Sequence, residues 1–220
     1  MKTSKKTNTI VSSRHNKRLE EITRTAVSLF YRYGFIKTST RDIAEACGIS
    51  KGHLYYYINS KEDLLSLSVE ISLKQIEKFA LHMMKDIKVA PPPKVLTNAI
   101  RETIKMIDNL QEMILFWYRE SGHVSLASLN KLIKQDMYTV DLYKMIIEEG
   151  VKKGEFKISD PTVAAFDIML LCDMWSLKRW YMQKHYSLDE YISVCQEIAL
   201  GIVHAKEKTN KKSRGKSSLR

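Results

Sequence analysis

Six residues within one short run carry the densest chemistry in the chain. Lys51, Gly52, His53, Tyr55, Tyr56 and Tyr57 stand in the stretch KGHLYYY. They offer one ammonium, one imidazole, three phenolic hydroxyls and a gap with no side chain. Lysine donates to guanine O6 and N7, and histidine donates in either charge state. Tyrosine hydrogen-bonds through its hydroxyl and packs or stacks through its ring. Leu54 and Ile58, four apart, share the opposite side of the same turn and are assigned to the core with Ile43 and Ala44.

A short helix must carry this face, and Ser50 is a suitable N-cap for it. The preceding stretch, TRDIAEACG, predicts another short helix, with Thr40 as cap and Ile43, Ala44 and Cys47 as its apolar stripe. Gly48 falls where the chain turns sharply, and glycine takes positive φ at no steric cost. Two short helices across a tight turn, the second with a polar outer face, form a helix-turn-helix. That motif places its second helix in a DNA major groove. Generic surface residues would look the same at any one position. The joint pattern favours base contacts by Lys51, Gly52 and His53, and Tyr56 is assigned either to a thymine methyl or to a sugar.

Further elements hold that pair in place. From Asn16 to Tyr33 the apolar spacing is helical, through Leu19, Ile22, Ala26, Leu29, Phe30 and Tyr33, and Gly34 suits a C-cap. Ser60–Lys61–Glu62–Asp63 predicts the capped start of a long helix. Lys61 is electrostatically odd at a positive helix end, and a nearby DNA phosphate would account for it. That helix reaches the Pro91–Pro92–Pro93 break and reads as a strut between two domains. Beyond it lie helices over Val95–Ile107, Met113–Tyr118, Leu126–Lys153, a stretch opened by Asp160–Pro161, and a last helix capped by Ser187. The all-apolar run MILFWY is expected to be buried. No strand-like alternation is present, so the fold class is all-α. A three-helix helix-turn-helix domain (16–62) precedes a larger helical domain (63–204), flanked by a flexible basic arm (1–15) and a disordered basic tail (205–220).

Charge sorts the chain in the same way. The formal net charge is +11 over 220 residues. Residues 1–60 hold 11 Lys and Arg against 4 Asp and Glu, and residues 205–220 hold 7 against 1. The middle, 61–204, holds 18 against 20. A polyanion partner therefore belongs to the N-terminal end. The arm and the tail suit either phosphate contact or simple solvation.

Several function classes fall away. No nucleophile–base–orienter set, phosphate loop or metal-ligand spacing occurs, so neither an enzyme nor a metal or cofactor site is expected. Three separated cysteines, Cys47, Cys172 and Cys195, make no disulfide framework. No segment is long and apolar enough for a membrane span, and no secretory leader is read at the N-terminus. The expected setting is cytoplasmic.

Residues 16–65 resemble the DNA-binding domain of the TetR/AcrR family of bacterial transcription regulators. The matching pieces are AVSLFYRYGF, then TSTRDIAEACGISKGHLYYYI, then SKEDLL. Ile58 stands where the family usually has phenylalanine. The C-terminal half is similar only in architecture, in GVKKGEF, and in the Trp175–Trp180 run. The resemblance implies an all-helical homodimer on a palindromic operator, dimerised through its last two long helices. It also implies a small-molecule effector, bound in the C-terminal domain, that releases DNA. It assigns Thr40 and Arg41 to the DNA backbone, with Thr40 alternatively only a cap. It assigns the Tyr55 and Tyr57 hydroxyls to phosphates, with ring packing as the other role.

The effector cavity is expected among Met113, Phe116, Trp117, Glu120, His123, Met137, Met145, Met169 and Met174, because methionines and aromatics adapt to lipophilic ligands. Ordinary core is the competing reading for each. A solid C-terminal core would instead favour a non-inducible nucleoid or division-type DNA binder with the same fold.

Overall fold

Three serines set the frame of the N-terminal half. Ser39, Ser50 and Ser60 have extended backbones, and each side chain accepts the amide three residues on, from Asp42, His53 and Asp63 at 3.2, 3.1 and 3.3 Å. They start α2 (Thr40–Ala46), α3 (Lys51–Tyr55) and α4 (Lys61–Val89). Asp42 and Asp63 reach back to the amides of Ser39 and Ser60 at 2.8 and 3.1 Å, completing two capping boxes. Each such cap contributes about 1 kcal/mol. The cap of α2 is thus Ser39 and not Thr40. Ser39 has the extended backbone and the acid three positions on, whereas Thr40 is already helical. Ser39, through its amide and hydroxyl, holds the Asp42 carboxyl below its ordinary range.

The computed structural model describes residues 3–120 and 126–204, and over these it is helical with no strand. α1 runs from Thr3 to Tyr33, so the expected arm at 1–15 is replaced from Thr3 onward by helix. The reason is local: no proline or glycine precedes Gly34, and a helix nucleated by its packed part propagates cheaply. The tail at 205–220 lies outside the described residues. Gly34 and Gly48 take φ of 89° and 65°, ending α1 and turning α2 into α3.

Past Pro91 follow α5 (Pro92–Asn109), α6 (Gln111–Glu120), α7 (Leu126–Lys152), α8 (Pro161–Leu177), α9 (Arg179–His185) and α10 (Leu188–Ile202). Asp160 caps α8 ahead of Pro161, and Ser187 caps α10. The stretch after Pro161 breaks at Lys178 into α8 and α9. Gly150 is forced by packing: a Cβ there would lie 2.0 Å from the Phe156 ring.

Two buried clusters hold the molecule together. The first joins Ile22, Ala26, Phe30, Ile43, Leu54, Ile58 and Leu64 with Leu110, Met113, Phe116 and Trp117. The second lies among α4, α5, α7, α8 and α10, around Ile100, Ile104, Tyr143, Ile147, Ile168, Cys172 and Ile192. Two of its tyrosines are hydrogen-bonded inside it. Tyr143 donates to Thr103 at 2.8 Å, and Tyr191 donates to the Leu171 carbonyl at 2.6 Å. At its edge, Trp175 Nε1 donates to Asp108 at 2.8 Å. These bonds lie among fully buried apolar side chains, Ile100, Ile104, Ile168 and Ile192.

Candidate nucleic-acid interface

Leu54 fixes which way α3 faces. It is fully buried, as is Ile43 beneath it, and Ile58 and Ala44 are buried with them. Lys51, Gly52, His53, Tyr55 and Tyr56 are therefore exposed, and Tyr57 is half-buried. The expected core and outer face of the motif both stand.

The outer face is more ordered than its composition suggests. The Tyr55 hydroxyl lies 3.4 Å from Thr40 Oγ1, linking the start of α2 to the end of α3. The Lys51 ammonium sits 5.8 Å from the Tyr55 ring. Tyr55 therefore braces the two helices against each other. Tyr56 and Tyr57 meet edge to face at 5.2 Å, and His53 lies 5.5 Å from Tyr57. His15 of α1 stacks on Tyr57 at 4.9 Å, with its ring edge toward Tyr56 at 5.6 Å. Four rings thus form one surface between α1 and α3. Sequence reasoning missed His15, which it left in the arm. Its signal was a ring-bearing residue at the edge of a helical pattern that has no breaker before it.

Gly52 has no positive φ, and a Cβ added there would meet only Ser50 Oγ, at 4.0 Å. Nothing within the folded chain requires glycine at this position. Arg41 is exposed at the first turn of α2, beside Thr40.

Lys61 is the main revision. Its ammonium donates to the carbonyls of Phe35 and Thr38 at 2.7 and 3.0 Å. It also sits 4.2 Å from the centroid of the Phe35 ring. Within the folded chain, two carbonyls of the loop before α2 account for the positive charge at the start of α4. Lys61 clamps the α1–α2 loop to the strut. Arg18 makes a matching tie on the other side, donating to the Cys47 carbonyl at 2.8 Å.

The expected effector set does not assemble. Met113, Phe116 and Trp117 are buried against the N-terminal helices, with the Phe116 and Phe30 rings 5.8 Å apart and Met113 Sδ 3.2 Å from Ser72 Oγ. Met137, Met145 and Met174 are exposed, and Met169 is half-buried against the second cluster. His123 and the side chain of Glu120 lie outside the described residues. The inward face of α7 carries Val140, Tyr143, Ile146 and Ile147, which turns Met137 and Met145 outward. Near Met174, burial and the facing Asp136 push the Asp173 carboxyl up to about 7. Among the described residues, no group of His, Cys, Asp and Glu is placed to hold a metal ion, and no helix is long and apolar enough to cross a membrane.

A short capped helix held by a buried leucine, with a strut to a helical second domain, is the architecture of a helix-turn-helix DNA-binding regulator. Comparison with known proteins agrees. Residues 22–66 match the model of bacterial regulatory proteins of the tetR family. Residues 90–203 match the tetracyclin repressor-like C-terminal domain. The chain belongs to the TetR family of DNA-binding transcription regulators. It is 31% identical over 144 residues to the transcriptional regulator QacR of Staphylococcus aureus, covering 64% of this chain and 74% of QacR. A tetR-family regulatory protein from Rhodococcus RHA1 has the same fold, with a TM-score of 0.72 at 23% identity over 87% of this chain and 99% of that one. AibR, solved with isovaleryl coenzyme A and operator DNA, superposes with a TM-score of 0.68 at 22% identity, over 86% of this chain and all of AibR (100%).

The Lys61 clamp makes a direct prediction. Lys61→Met strands two carbonyls and lowers stability by about 1–3 kcal/mol in denaturant unfolding. The slope of DNA affinity against salt stays as in wild type, because no phosphate contact is lost. A shallower slope at unchanged stability would return Lys61 to the DNA.

Proposed function

We propose that the chain is a homodimeric repressor that reads a palindromic operator with its two α3 helices and leaves it when a small molecule binds. The observation that carries the control step is the shared N-terminal core. Leu110, Met113, Phe116 and Trp117 are packed into the same cluster as the helices of the DNA-binding head. A ligand that displaces α6 therefore displaces the head, and the spacing of two heads must match half-sites about 34–36 Å apart. Such a ligand acts through its different affinity for the two arrangements. AibR, of the same fold, is a protein whose solved structure holds both an acyl thioester and operator DNA.

Lys51, Gly52 and His53 are the base-reading residues in this account. Arg41, Thr40, Tyr55 and Tyr57 line the backbone on either side, and Tyr56 meets a methyl group or sugar. Dimer formation has support in the exposed apolar stripes of α8 and α10. Val163, Phe166, Leu170 and Met174 repeat at spacings of three and four, each 39–55% exposed, and Val194 and Ile198 continue the face on α10. A contiguous apolar surface of this kind is covered in the working protein.

Gly52→Ala tests the reading helix. The folded chain has room for the methyl group, so thermal stability holds or rises slightly. Affinity for DNA selected by wild type from a random pool falls by about ten-fold or more, as a close approach to the base edges is blocked. Unchanged affinity would remove α3 from the groove. Leu170→Arg tests the dimer: sedimentation gives a monomer with wild-type helical content, and binding to the palindrome drops to the level of a single half-site. A dimer persisting in this variant would move the interface away from α8.

A further inference from the structure

We infer that the junction of α1, α6 and the α8–α9 corner is a binding site for a small amphipathic molecule with a carboxylate or phosphate head. Two clefts meet there at Arg179. One, of about 440 Å³, is lined by Arg24, Val27, Asp108, Gln111, Glu112 and Arg179. The other, of about 420 Å³, is lined by Tyr31, Leu115, Ser176, Leu177, Trp180 and again Arg179. Arg24, Val27 and Tyr31, at spacings of three and four, present one face of α1 to both. Each volume is in the range of small-ligand sites.

The polar atoms decide the ligand class. Among the described residues, three buried side-chain atoms have no hydrogen-bond partner: Gln111 Nε2, Trp117 Nε1 and Ser176 Oγ. Gln111 and Ser176, exposed by 6% and 0%, line these two clefts. A buried amide donor left unpaired costs about 1–3 kcal/mol, and such groups in a folded chain commonly await a partner. Arg179 gives Nε to Gln183 at 3.0 Å, and its terminal nitrogens make no hydrogen bond, with the Glu112 carboxylate within electrostatic reach. Arg24 gives Nε and Nη2 to Glu20 and keeps Nη1.

The two carboxylates of the first cleft each accept a donor of the chain. Asp108 takes the Trp175 indole at 2.8 Å, and Glu112 takes Arg32 at 3.1 Å. Gln111 Nε2 and the terminal nitrogens of Arg179 are donors without a hydrogen-bond partner, and an oxyanion is the group that satisfies them. α6 also begins at the floor of the first cleft, with its positive end toward the anion. The second cleft supplies apolar walls from Tyr31, Leu115, Leu177 and Trp180 for the body of the ligand. The site touches both the DNA-binding head, through α1, and the helix that shares the head's core, α6. Its effect on DNA rests on the effector-controlled reading above, whereas its existence does not.

Isothermal titration of the full chain without DNA tests the site. Decanoate and decyl phosphate are the two anionic probes, with decanol and decyltrimethylammonium as the neutral and cationic ones. Saturable binding of either anion is expected, and which one binds tighter separates carboxylate from phosphate. Arg179→Ala, at an exposed position, weakens it about ten-fold or more, as does Gln111→Met. Decanol and the cation bind at least about ten-fold weaker. No binding of either anion, equal binding by decanol or the cation, or unchanged binding in Arg179→Ala overturns the site. Anion binding that leaves DNA affinity untouched upholds the site and overturns release by an effector.

Discussion

The insertion of α6 into the N-terminal core is the constraint from which the rest follows. A helix-turn-helix of three short segments has little apolar surface of its own. Here Phe30 and Phe35 are completed by Phe116 and Trp117 from far along the chain, and Met113 closes the gap to α4 through Ser72. Removing one such aromatic costs about 3–5 kcal/mol in a close-packed core. α6 therefore supplies a large share of the apolar core beneath the head.

Local devices then convert that core into an aimed surface. Serine caps start α2, α3 and α4 at fixed residues, and Gly48 turns the chain between the first two. Lys61 and Arg18 tie loop carbonyls from opposite sides. Leu54 anchors α3 from below, while Tyr55 braces it against Thr40. What remains outward is a cation, a gap and a group of rings that includes His15. In the second core Tyr143 bonds to Thr103, and the unpaired Gln111 and Ser176 line the clefts beside α6 and α8.

Much of this was legible in the residues, for identifiable reasons. Capping signatures are local, so Ser50, Ser60, Asp160 and Ser187 could be read directly, and so could the glycine turns. Thr40 was misplaced because serine and threonine adjoin, and only the backbone shows which one is extended. Helical spacing found Leu54, Ile43 and Ile58 as core. Long-range contacts leave no such mark. MILFWY read as buried, but nothing in it said that its partners were Phe30 and Ile22. The methionines of α7 and α8 read as cavity lining because composition does not state which face turns inward. Lys61 was read against an outside phosphate because the carbonyls that hold it come from a loop 23 and 26 residues earlier. His15 was missed because its ring partners lie on a different helix.

The central claim is that the DNA-binding head and α6 open and move as one unit. Native-state hydrogen exchange on wild type and Phe116→Ala tests it most directly. The account predicts that amides of α1 around Ala26–Phe30 and those of α6 share one opening free energy, and that the substitution lowers both by the same amount. Amides of α10 would keep more of their protection. Loss of protection in α6 alone, with α1 unchanged, would contradict the account, because the head would then be stable without the helix said to hold it.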